Sequence, residues 1–143
     1  MDEYFEDLTV GATRSFGSYE VTREEIVEFA RRYDPQPFHT DEAAARESMF
    51  GGLVASGWHT AAATMRLLVD NYLNESGALG SPGLESLRWR DPVRPGDELS
   101  VRTEIADKEP WDDDRGVAHV DVTTVAGDRT VMTMTALVLY PRR

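Results

Sequence analysis

No cysteine occurs anywhere in the 143 residues. That absence excludes a disulfide scaffold, a thiol nucleophile and any cysteine-ligated metal, and it fits a reducing compartment. Lysine is nearly missing too: Lys108 is the only one, and the other basic residues are arginines. With 26 acidic against 15 basic residues the formal net charge is -11. Such a field repels nucleic acid and anionic membrane surfaces, so neither is expected as a partner. An acidic surface with arginine but almost no lysine suits concentrated salt, where repulsion is screened. Two origins stay open, a salt-loving host and a codon bias toward arginine. A stability independent of salt concentration would remove the first. Long apolar runs are absent, because Arg66 and Asp70 interrupt the most hydrophobic segment, and no membrane span is expected. The start, Met1 to Asp7, is acidic and lacks the basic region and apolar run of a signal peptide, which implies a cytoplasmic protein. At 16.0 kDa the expectation is one domain over residues 1–143.

What is present reads as one strand, then helices, then a run of strands. Residues 13–21 read as a strand with Phe16 inward. Thr22-Arg23-Glu24-Glu25 is a capping box, with Glu25 expected to reach back to the cap. The helix it opens carries Ile26, Val27, Phe29, Ala30 and Tyr33 and ends at Asp34, before Pro35. A short alanine-rich helix follows from Thr40 to Glu47, and Gly51-Gly52 breaks it. Residues 56–73 form the longest periodic segment, about 27 Å of buried helix with Trp58, Ala61, Ala62, Met65, Leu68, Val69 and Tyr72 on its inner stripe. Residues 75–83 are loop by composition. Strands are expected over 84–90, 99–105, 117–125 and 130–140, joined by the turns Arg94-Pro95-Gly96-Asp97 and Ala126-Gly127-Asp128-Arg129. The last strand is apolar on both faces, which places it centrally or at a subunit contact. The class is α+β, an antiparallel sheet wrapped around one long helix.

The chemistry concentrates in Tyr33-Asp34-Pro35-Gln36-Pro37-Phe38-His39. Two prolines fix φ around Gln36 and disfavour helix before each of them, so a stiff loop is expected to aim Asp34 and His39 as an acid/base pair. Farther on, Ser56 caps the long helix and Gly57 opens it, where free amides and the positive end of the dipole converge. His59 is expected on the helix surface or a pocket wall, and His119 in solvent. His39, Asp41 and Glu42 lack a recognisable zinc spacing, so no metal is expected.

These two segments resemble the MaoC-like dehydratases, the (R)-specific enoyl-CoA hydratase group of the hotdog superfamily. That family's signature reads roughly Asp-x-Asn-Pro-aliphatic-His. Here it reads Asp34-Pro35-Gln36-Pro37-Phe38-His39, with Gln36 for the asparagine and Phe38 for the aliphatic residue. The resemblance implies a hotdog fold, at least a homodimer, and a lyase of acyl-CoA and fatty acid metabolism that hydrates trans-2-enoyl thioesters to (R)-3-hydroxyacyl thioesters or runs the reverse. It implies Asp34 and His39 holding the water, with His39 as base, and the Gly57 amide on the thioester oxygen. Gln36, Ser56 and Trp58 are candidate substrate contacts, and Arg90 and Arg94 candidate partners for the phosphates of coenzyme A or a phosphopantetheine carrier. No other cofactor is implied. A thioesterase on the same fold, and a non-catalytic acyl-thioester-binding subunit, remain as alternatives.

Overall fold

The computed structural model describes residues 2–143. The strands are β1 (Thr13–Glu20), β2 (Gly80–Trp89), β3 (Glu98–Pro110), β4 (Arg115–Ala126) and β5 (Arg129–Pro141). The helices are α1 (Arg23–Tyr33), α2 (Pro37–Thr40), α3 (Glu42–Arg46) and α4 (Gly57–Asn71). The strands form one antiparallel sheet in the order β1-β3-β4-β5-β2. Its curved inner face closes around α4, the hotdog arrangement that the resemblance implies.

Alternation along the strands builds that inner face. Val101, Thr103 and Ile105 of β3, Val120, Val122 and Thr124 of β4, and Met132, Met134 and Ala136 of β5 are all buried and lie opposite one another in register. Each large aliphatic among them contributes about 1.5–3 kcal/mol relative to exposure. β5 lies between β4 and β2, so the strand read as apolar on both faces is central to the sheet. Gly17, at φ +88°, lets β1 cross the helix: a Cβ there would stand 2.6 Å from Leu67 Cδ2.

The long helix departs from expectation in its inward face. The buried residues of α4 are His59, Thr60, Ala63, Thr64, Leu67 and Leu68, whereas Trp58 and Met65 are more than half exposed. Thr64 tolerates this position because its bonds are met locally. Thr64 Oγ1 donates to the Thr60 carbonyl and lies 2.7 Å from Thr124 Oγ1 across the sheet. The helix also ends sooner than expected, at Asn71, and β2 begins within the stretch read as loop. No helix among the described residues is long and apolar enough to cross a membrane.

Candidate active site

Asp34 is placed by the end of α1. Thr22 caps the start, its Oγ1 accepting from the Glu25 amide at 3.2 Å, and Asp34 is the C-cap, its amide donating to the Ala30 carbonyl. Only half of the expected capping box forms, because the Glu25 carboxylate accepts the Tyr19 hydroxyl proton. Pro35 prevents the helix from continuing. The stretch after it is not a plain loop: Pro37 opens the single turn α2, and His39 rides on that turn. Proline at the first helical position needs no amide partner, and its fixed φ starts the turn.

His39 is 5% exposed and fixed at both nitrogens. Nδ1 is 2.7 Å from the Val54 carbonyl oxygen, so it carries the proton and donates. Nε2 then faces Asp34 Oδ2 at 3.3 Å. In the neutral ring that is an unshared pair facing a carboxylate oxygen, two acceptors with nothing between them to share. A water molecule, which has two protons to donate, satisfies both.

The carboxylate is held from two further directions. Ser56 Oγ donates to Asp34 Oδ2 at 2.7 Å, and Gln36 Nε2 donates to Oδ1 at 2.7 Å. Burial pushes the Asp34 carboxyl up, but the hydrogen bonds from Gln36 and Ser56 and the neighbouring imidazole oppose it, and the net shift is downward. Gln36 thus commits its amide to Asp34. The longer side chain reaches the carboxylate while still lining the cavity. Ser56 also caps α4, accepting from the Trp58 amide at 3.2 Å. The Ala55 amide donates to the Val93 carbonyl at 2.8 Å, which ties this entry to the turn before β3.

Gly57 is the first residue of α4, where an amide has no intrahelical acceptor. A Cβ there would lie 2.4 Å from Cε2 of the Trp89 indole. Asp34, Gln36, His39, Ser56, Gly57 and Trp58 all line one cavity of about 450 Å³, with Phe38, Phe50, Trp89 and Arg90. The two arginines are less convergent. Arg90 reaches the cavity, but its Nε donates to Thr133 at 3.0 Å, and Arg94 stands outside the lining with Nη2 on the Phe50 carbonyl at 2.7 Å. Among the described residues no three His, Asp or Glu side chains are grouped to hold a metal ion. Asp41 is instead the cap of α3.

Two participants escaped the sequence reading. The Val54 carbonyl has no side-chain signature. Trp89 had one: in Arg88-Trp89-Arg90 the strand period puts the indole on the face opposite both arginines. Of the other two histidines, His59 is 5% exposed and lines the wall of a second cavity, one of its two expected places, whereas His119 is largely covered instead of solvated, 3.5 Å from Glu109.

Known proteins resemble this chain over nearly its full length. Residues 7–126 match the family described as MaoC like domain. The 3-hydroxybutyryl-CoA dehydratase of Methylorubrum extorquens is 33% identical over 145 residues, covering 98% of this chain and 85% of that protein. The crystal structure of a MaoC-like dehydratase from Rhodospirillum rubrum superposes with a TM-score of 0.89 at 43% identity, covering 98% of this chain and 97% of that one. The R-hydratase PhaJ1 of Pseudomonas aeruginosa gives a TM-score of 0.74 at 25% identity, covering 99% and 88%.

Proposed function

The chain belongs to the MaoC-like dehydratase family, and from that premise we propose that it hydrates trans-2-enoyl thioesters to (R)-3-hydroxyacyl thioesters, or catalyses the reverse dehydration. The observation that carries the reading is the pair of acceptors, His39 Nε2 and Asp34 Oδ2, facing each other at 3.3 Å in the cavity that Gly57 also lines. Water held there attacks C3, and His39 Nε2 takes its proton while Asp34 stabilises the imidazolium. The electron pair of the double bond moves to C2 and the thioester oxygen. The Gly57 amide and the dipole of α4 meet that charge. The imidazolium returns its proton to C2 on the same face, and the face of C3 that meets this water sets the (R) configuration. This acid/base cycle uses no cofactor beyond the coenzyme A or phosphopantetheine arm of the substrate, whose phosphates fall to Arg90 and Arg94 at the rim.

The alternatives fit less well. A thioesterase on this fold needs an acidic residue acting from α4, but its first turn has none, and Asp70 is paired with Arg66. A binding subunit gained weight from Gln36, yet that amide does support the carboxylate. We also assign a homodimer in the cytoplasm. β2 is an edge strand, and Leu79, Leu84 and Met65 leave exposed apolar surface on it and α4, which a second copy would cover.

Loss of enoyl absorbance with crotonyl-CoA tests the reaction. Wild type should hydrate, and Asp34→Asn and His39→Ala should each lower kcat by roughly 10²–10⁴-fold while staying folded. An inert wild type that still binds crotonyl-CoA would hand the protein to the binding-subunit reading. Release of free thiol would hand it to the thioesterase.

A further inference from the structure

We propose that Trp89 limits the acyl chain, so that the site takes short-chain enoyl thioesters of about four carbons; this rests on the hydratase reading above. Trp89 ends the edge strand β2, whose register breaks between Glu85 and Arg88. Within that break Ser86, at φ 56°, is the one non-glycine residue in the left-handed region among those described. Such a bulge bends a strand and re-aims the side chains beyond it. Trp89 pairs with Met132, which is fully buried on the inner face, so the indole turns toward α4. It nevertheless remains 45% exposed, which marks it as a wall rather than core.

The position of that wall decides its consequence. The indole occupies the space where a side chain on residue 57 would stand, with Cε2 and Cδ2 at 2.4 and 2.6 Å from an added Cβ. Trp58 braces it edge-on, the ring centroids 5.2 Å apart at 81°. On the other side of the catalytic pair, Phe38 packs on Phe50 at 5.2 Å and against the His39 ring at 4.4 Å. A thioester with its oxygen on the Gly57 amide and C3 beside His39 lies between these two walls. Moving Phe38 would disturb the His39 ring, whereas the ring contact of Trp89 is to Trp58. Trp89 is therefore the side chain free to set tail length. One methylene too many against such a wall is discriminated by about tenfold or more.

The experiment compares kcat/KM for crotonyl-CoA and the trans-2-enoyl-CoAs of six and eight carbons, using wild type, Trp89→Ala and Trp89→Phe. Circular dichroism and native mass are followed for each. Wild type should favour the four-carbon substrate over the eight-carbon one by at least tenfold. Trp89→Ala should shrink that ratio by about tenfold or more, chiefly through KM for the longer chains, with Trp89→Phe between. A wild type that treats all three alike, or a folded Trp89→Ala or Trp89→Phe with an unchanged ratio, overturns the proposal and leaves the hydratase reading intact. No turnover of any of the three by wild type overturns both.

Discussion

His39 and His59 are equally hidden, each 5% exposed, and they flank the same helix entry. His39 has Nδ1 on a backbone carbonyl and Nε2 toward an ionised carboxylate, and it lines the cavity with Gly57. His59 stacks flat on Phe29 at 4.8 Å, and its Nδ1 has no partner. Glu25, the nearby carboxylate, is engaged by the Tyr19 hydroxyl, and burial pushes that hydroxyl up to about 12. Burial alone therefore does not make a histidine a base. On the hydratase reading, what separates the two is the fixed tautomer and a carboxylate within reach of the same water, since His59 also lines a cavity, of about 290 Å³, with Tyr19 and Glu25.

Substitution gives the largest separation. Against the loss expected for His39→Ala, His59→Phe keeps the stack on Phe29 and removes the orphaned nitrogen, so its hydration rate should stay within about tenfold of wild type, short of the roughly 10² floor for a general base. If His59→Phe in folded protein costs as much as His39→Ala, partnership is not what distinguishes them.

A smaller effect sharpens the role of Asp34. Its carboxyl is held below the usual range, so Asp34 stays ionised at every pH where an imidazole can serve as base. Gln36→Leu removes one of the bonds that lower it and leaves the cap of α4 intact. The titration of the Asp34 carboxyl, followed by carbon NMR, should therefore move to higher pH. Ser56→Ala should do the same, with about 1 kcal/mol of stability lost from the missing cap. Carboxyl titrations that coincide with wild type in both variants would reduce the two bonds to scaffolding.

The pair Asp34 and His39 was legible because its separation is local and proline-fixed. The strands β3 to β5 were legible because alternation survives wherever one face is covered. The inner face of α4 was not. Trp58 and Met65 look like core by size, yet the space inside the sheet is filled by Ala63, Thr64 and Leu67, and the threonine is tolerable there because its hydroxyl bonds to the Thr60 carbonyl and to Thr124 across the sheet. Trp89 was missed for a related reason: its role exists only once β2 pairs with β5 and brings the indole over Gly57. A carbonyl such as that of Val54 is invisible at any spacing, since every residue has one.

The smallest effect concerns His59 itself. Burial pushes its pKa down, with Glu25 opposing, so the folded state binds a proton less readily than the unfolded chain, which titrates near 6.5. Above about 6.5 both states are neutral and the contribution to stability is complete. As pH falls, the unfolded chain takes up a proton that the folded one refuses, and stability drains away until the folded pKa is reached. The slope cannot exceed one proton, about 1.4 kcal/mol per pH unit. His59→Phe removes this slope, so subtracting the two proteins isolates it. The Tm of the variant relative to wild type should stay level from pH 7.5 to about 6.5 and then rise as pH falls toward 5. A difference that stays flat across that interval would mean that His59 takes its proton within the fold, and the contrast with His39 would then lie in geometry alone.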